Sequence, residues 1–167
     1  MELHHKKIDF ISDREYVLER HCRVNYECDC PWKRKMSYDD YRAEWFGLKS
    51  QTDGFFGALI ESAADDRTIA EIICNENGDI VGYLWVPFIE DTESGFSFAD
   101  VQDIYIEDNF RALGIATRLM TYAENKAREN KANVIRSGTG CENNKSIILH
   151  EKLGYYQYRY EYEKVLM

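Results

Sequence analysis

Residues 111-RALGIATRLM-120 follow a strand-like run, 96-FSFADVQDIYI-106, and open the stretch 115-IATRLMTYAENKAREN-130. In that last stretch Ile115, Leu119, Ala123 and Ala127 fall on one helical face with charges opposite. The unit reads as strand, loop and helix, with 107-EDNFRAL-113 as the loop and the helix starting at about Gly114. A helix N-terminus presents unpaired backbone N–H groups and the positive end of the macrodipole, so it holds phosphate without a lysine. What it needs is close backbone approach. Gly114 and Ala116 provide that, and Arg111 adds a charge. The Walker pattern G-x-x-x-x-G-K-[ST] is absent, which argues against a nucleotide triphosphatase. The three glycines and distant acid of a dinucleotide fold are absent too.

The partner of this segment is 143-NNKSIILHEKLGY-155, a helix pattern with Asn143 as N-cap and Gly154 at the C′ position. Between the two lies a short strand, 133-NVIRSGT-139. Arg111-x-x-Gly114-x-Ala116, after a strand ending in Ile104-Tyr105-Ile106, resembles motif A of the GNAT-type N-acetyltransferase superfamily, [RQ]-x-x-G-x-[GA]. Asn143-x-x-Ser146-x-x-x-His150-x-Lys152-x-Gly154-Tyr155 resembles motif B, N-x-x-A-x-x-x-Y-x-K-x-G-F. The match runs from roughly residue 98 to 156, with both motifs in the right order.

The resemblance implies an α/β (α+β) GNAT fold, a mixed and mostly antiparallel central sheet flanked by helices. It also implies acetyl-CoA as co-substrate. The pyrophosphate would sit on the amides of Leu113, Gly114, Ile115, Ala116 and Thr117, beside Arg111. The pantetheine arm would pair with Ile104 and Ile106, and Asn143, with Ser146 in the same motif, would lie against it. A primary amine would then attack the thioester directly, through an oxyanion that a strand N–H stabilises.

Two proton handlers are needed. Asp100 matches the position of the glutamate base in some histone-acetylating members, and Asp103 an acid frequent in polyamine and aminoglycoside-like members. Regular alternation puts them on opposite faces of the strand, unless a β-bulge intervenes. Either carboxylate can instead bind substrate. The family's acid, a tyrosine, is replaced here by His150. Imidazole changes charge near neutrality where a phenol does not, so the swap makes turnover more sensitive to pH. Tyr155 and Tyr156 are nearby alternatives.

Bulk properties fit this reading. A length of 167 residues suits one domain over 1–167, and 44% hydrophobic residues can fill its core. No run is long enough to cross a bilayer, and 1-MELHHKKIDF-10 lacks the apolar core of a secretory signal. The expected location is the cytoplasm. A net charge of −9 argues against nucleic acid and suits a cationic partner. Five cysteines, at 22, 28, 30, 74 and 141, form no disulfide framework. Cys28 and Cys30 lack a second pair at zinc spacing, so no metal is expected.

Elsewhere, KKIDFI reads as a first strand, and 12-SDREYVLERHCRVNY-26 as a helix with Ser12 and Glu15 forming a capping box. Further helices run from about Ser37 to Trp45 and near 52–64. The runs 68-TIAEIIC-74 and 80-IVGYLWV-86 read as a hairpin turned at Asn77-Gly78. Tyr156, Tyr158, Tyr160 and Tyr162 alternate with polar residues, as in a last strand with one aromatic face. Tyr26, Glu27, Asp29, Trp32, Tyr38 and Tyr41 lie where the family builds its acceptor lid, and can cage an amine or pack the core.

The expected acceptor is a small-molecule amine, and the family habit of pairing sheet edges makes a homodimer possible. Two rival readings are a non-catalytic CoA sensor and an acetyltransferase for protein N-termini or lysines.

Overall fold

The computed structural model describes residues 1–28, 35–164 and 166. Strand β1 (Leu3–Lys7) is followed by helices α1 (Arg14–Cys28), α2 (Tyr38–Gly47) and α3 (Lys49–Ser62). Strands β2 (Ile69–Asn75), β3 (Ile80–Val86), β4 (Phe88–Asp91), β5 (Phe96–Val101) and β6 (Asp103–Ile106) come next. A 3-10 turn at Asp108–Phe110 leads to α4 (Ile115–Glu129), β7 (Val134–Ser137) and α5 (Asn144–Lys152). The strands form two sheets, ordered β1-β2-β3-β6 and β4-β5-β7, and only the β5/β7 pair is parallel. The expected α+β class, mixed and mostly antiparallel, is what is found. Two strands missing from the sequence reading, β4 and the separate β6, arise where Pro87 and Gln102 interrupt the ladders.

Each face of the β-layer buries its own core. Val17, Leu18 and Cys22 of α1, Tyr41 and Trp45 of α2, and Phe56 and Leu59 of α3 pack with Tyr83, Trp85 and Tyr105. Ile115, Leu119, Met120, Ala123 and Ala127 of α4 pack on the other side, with Leu84, Val86, Ala99 and Val101. The α4 stripe is thus the apolar face expected from its period.

Local signals fix most ends. Ser37 caps α2 by accepting from the Asp40 N–H. In the β2–β3 turn the Asn75 side chain accepts from the N–H groups of Asn77 and Asp79, and Gly78 has φ +85°. The capping box at Ser12 and Glu15 does not form. Helix α1 begins one residue later, with the Asp13 carbonyl accepting from the Val17 N–H, while the Asp13 carboxylate binds the Asp9 N–H and Lys6.

The tyrosine tail also departs from expectation. Residues 156–164 form no strand, and Tyr156, Tyr158, Tyr160 and Tyr162 are largely exposed. Alternation supplies a strand's pattern, but a strand needs a ladder partner, and among the described residues none pairs with this segment. Its packing contact is Tyr158, whose ring lies under the Arg136 guanidinium at 5.1 Å.

Candidate active site

The central feature is a break between β5 and β6. The β3/β6 register pairs Trp85 with Asp103, while β4/β5 pairs Phe88 with Ala99. Two residues, Val86 and Pro87, therefore face three, Asp100 to Gln102: a one-residue bulge, anchored by Gln102 N–H to the Trp85 carbonyl and Asp100 N–H to the Pro87 carbonyl. The bulge reverses side-chain parity. Ala99 and Val101 point into the α4 core, and so do Ile104 and Ile106, whereas Tyr105 points towards α1. Asp100 and Asp103 consequently share the α1 face, contrary to regular alternation.

Past the bulge the sheet opens. Strand β5 pairs with β7 as far as Val101 opposite Ser137, and among the described residues β6 pairs only with β3. Glu107 N–H bonds the Val81 carbonyl (2.8 Å), so by antiparallel alternation Tyr105 and Asp103 bond β3. The N–H and C=O groups of Ile104 and Ile106 face the other way, into the gap between β6 and the chain after Ser137.

The loop leading to α4 closes one end of this gap. Ala112 (φ +62°) and Gly114 (φ +75°) are both left-handed, which turns successive amides to one side. For alanine that conformation is uncommon and strained, as occurs where a loop is shaped for a ligand. A Cβ on Gly114 would meet nothing within 4 Å, so the space above the loop is open. Helix α4 has no side-chain cap; its N-cap Gly114 leaves the N–H groups of Ile115, Ala116 and Thr117 free of capping. Leu113 is exposed beside them. Arg111 folds back, its Nε donating to the Ile106 carbonyl at 3.0 Å, with Asp108 at 3.1 Å and Tyr105 under its guanidinium.

Helix α5 follows β7 and packs Leu149 and Leu153 against the α4 core. Asn143 caps it, its side chain accepting from the Ser146 N–H. His150 Nδ1 sits 2.7 Å from the Ser146 carbonyl and 3.3 Å from the Ser146 hydroxyl. That bond places the proton on Nδ1, and the buried Nε2 is left without a partner. Tyr155 lies edge-on to His150, with its phenol pushed up by burial and by the Glu124 carboxylate of α4, which makes it a poorer proton donor. Tyr156 is exposed.

The two aspartates differ. Burial raises the Asp100 carboxyl above the usual carboxylate value, partly offset by the Gln102 amide (2.7 Å) and Arg136. Asp103 is 2% exposed, and its Oδ2 accepts from the Tyr83 hydroxyl and from His21 Nδ1 at 2.7 Å. His21 was absent from the sequence-based candidates. Its signal was available: Val17, Leu18, His21 and Cys22 share the spacing of an inward helical stripe.

Helix α1 is tied to the site loop by Glu107, which accepts from Tyr16 (2.8 Å) and Arg20 (2.7 Å). Tyr26, Tyr38 and Tyr41 do cluster, but Arg23 lies over Tyr38 at 4.4 Å and the Tyr26 hydroxyl donates to the Met36 carbonyl. Their faces are filled by the protein itself, which favours packing over a cage. Asp29 and Trp32 of that group, and Cys30, lie outside the described residues; Cys28 is a free thiol.

These features can be set beside known proteins. An uncharacterized N-acetyltransferase of Methanocaldococcus jannaschii is 24% identical over 149 residues, covering 86% of this chain and 57% of that protein, so the chain spans little more than half its relative's length. A transcriptional regulator from Bacillus halodurans C-125 has the same fold, with 20% identity, 99% and 100% coverage and a TM-score of 0.66. AAC(6')-Iy, solved with the bisubstrate analogue CoA-S-monomethyl-acetylneamine, superposes over all of both chains at 15% identity and a TM-score of 0.61. The profile of the Acetyltransferase (GNAT) family matches residues 24–155, from the last turns of α1 to just past α5, and the chain belongs to that family.

Proposed function

We propose that the protein is an acetyl-CoA-dependent N-acetyltransferase acting on the primary amine of a small molecule. One observation carries this reading: the β6 edge at Ile104 and Ile106, which has no ladder partner among the described strands and whose Ile106 carbonyl is held by Arg111, ends at an uncapped helix N-terminus with open space beside Gly114. An extended amide-bearing arm ending in a pyrophosphate matches that sequence of groups, the arm pairing as a strand would and the anion taking the amides of residues 113–117. Asn143 and Ser146 begin α5 in the segment that follows β7, and His150 on the same helix has a buried Nε2 without a partner among the described residues. AAC(6')-Iy, with its CoA-linked neamine analogue, supports a small amine as acceptor.

The acetyl group arrives as a thioester, and this chain's residues hold it and handle protons. Asp100, half-buried on the acceptor face, attracts a cationic amine, in keeping with the net charge of −9. The amine nitrogen attacks the carbonyl carbon, and in this reading His150 Nε2 takes up an amine proton and passes it to the leaving sulfur.

Thermal melting tests the seat. A ligand at a hundred times its Kd adds about 2.7 kcal/mol, which for a chain of this size raises Tm by roughly 5–11 °C. Acetyl-CoA should give such a shift, and Gly114→Glu, which places a charge and a strained residue on the amide seat, should abolish it. An unchanged wild-type melt at millimolar acetyl-CoA refutes the reading. His150→Phe should keep the shift and lower turnover.

A further inference from the structure

Helix α1 crosses the open gap. At one arm His21 bonds Asp103, the first residue of β6. At the other, Gly140 packs so tightly on α1 that a Cβ there would lie 2.9 Å from the Cys28 carbonyl oxygen. The residues at i, i+4 and i+7 between these contacts are His21, Asn25 and Cys28, one stripe of the helix. His21 and Asn25 therefore roof the gap on the side opposite α4, where an acceptor would approach.

The His21 ring is engaged at both nitrogens and by two aromatic neighbours. It stacks on Phe55 of α3 (centroids 3.5 Å apart, 7° between planes) and meets Trp45 of α2 edge-on at 5.7 Å. Its Nδ1 faces Asp103 Oδ2, and the same oxygen takes the Tyr83 hydroxyl. With Asp103 Oδ2 accepting from Nδ1–H, the lone pair of the ring lies on Nε2, 3.0 Å from Asn25 Nδ2. Buried carboxylate, oriented imidazole and a lone pair met only by a neutral amide are the parts of a general base with its orienting group. Asp103 cannot itself reach a substrate, because it is 2% exposed behind the ring.

We propose that His21 is the catalytic base for the incoming ammonium, with Asp103 as its positioning residue and Asn25 as a neutral occupant that the ammonium displaces. The proposal rests on the acyl-transfer reading above. His21 Nε2 takes one proton from R–NH3+. The freed lone pair forms the C–N bond, the C–S bond breaks, and the sulfur leaves with its electron pair. The second amine proton goes to that sulfur, giving amide and thiol, and His21 releases the first proton to water.

The test is thiol release from saturating acetyl-CoA with polyamines, aminoglycosides, amino acids and basic peptides, comparing wild type with His21→Gln from pH 6 to 10. Among the described residues, the other groups around the ring are Asp103 from β6, the Tyr83 phenol from β3, and uncharged Trp45, Phe55 and Asn25. Burial beside Asp103 holds Tyr83 protonated throughout.

The variant should keep its acetyl-CoA melting shift and lose about 100-fold or more in kcat/KM at pH 7, the usual contribution of a general base. That loss should shrink towards pH 10, where an alkylamine of pKa about 10.4 sheds its own proton. A loss constant across pH, or no loss, overturns the proposal. Should the variant not fold, ¹⁵N imidazole spectra of the wild type decide: the Nδ1–H form of His21 is expected, with Nε2 shifting when an active amine is added. The opposite tautomer, or an unmoved Nε2, refutes it. Silence of every amine with the melting shift intact overturns the base but leaves the acetyl-CoA seat; absence of the shift overturns the seat itself.

Discussion

Substitution of Gly82 by alanine is the sharpest test of how the sheet builds the site. Gly82 pairs with Ile106 across β3 and β6. A Cβ added there falls far inside contact distance of the Tyr105 carbonyl oxygen, and within 3.0 Å of its carbon and 3.2 Å of the Ile106 Cα. All three are backbone atoms, so no side chain can swing aside, and the strands must part. Parting them weakens the Glu107-to-Val81 bond and the two exchanged between Tyr83 and Tyr105. At roughly 0.5–1.5 kcal/mol per bond, three bonds come to about 3 kcal/mol, which matches the usual cost of overpacking. For a chain of this length that is a fall in Tm of about 6–12 °C.

The displaced strand is also the one bearing Ile104 and Ile106, so the acetyl-CoA shift should shrink along with Tm. Differential scanning fluorimetry with and without acetyl-CoA reads both. Gly57→Ala is the control: in the middle of α3 its Cβ meets nothing within 4 Å, and it should be neutral or gain up to about 1 kcal/mol. A Gly82→Ala protein melting within about 2 °C of wild type, with the ligand shift intact, would refute the reasoning.

Two further perturbations address charge. Burial raises the Asp100 carboxyl in the folded state, so the folded protein binds that proton more tightly than the unfolded chain. Stability is then lost as pH rises from below the unbound value of 3.8 through the raised one. Asp100→Asn should therefore melt higher than wild type at pH 7, with the difference vanishing below about pH 4, while KM for a cationic acceptor rises; equal melts at pH 7 would refute the first half. Cys22 is fully buried, and burial pushes its thiol up to about 11. At pH 8 a thiol reagent should label exposed Cys141 rapidly and Cys22 only on unfolding, as peptide mapping would show; rapid labelling of Cys22 would contradict its placement.

The site was unevenly legible in the sequence. The α4 stripe and the Asn143 cap are local, carried by residues three or four apart, and helix α4 was expected at 115–130 and lies at Ile115–Glu129. The bulge at Asp100–Gln102 was not readable, because one surplus residue exists only relative to the partner strand, and 99-ADVQDIYI-106 by itself looks like one continuous strand. That surplus decides which face Asp103 takes, so its bond to His21, 82 residues away, was equally hidden. The tyrosine tail misled for the reverse reason: its period is perfect, but period alone creates no partner.

The opening between β6 and β7 has a bearing on folding as well as on chemistry. A bare strand edge invites other chains to add to it, and proteins ordinarily blunt such edges with charge, proline or closure. Here the edge is retained inside the domain and sheltered by α1, clamped through Asp103 and through Gly140. Whatever lifts α1 uncovers a ready template for stacking between molecules, and an arm that pairs with the edge fills it. The resting protein should thus be the form most prone to aggregate, and its co-substrate a solubilising agent that works by completing the sheet.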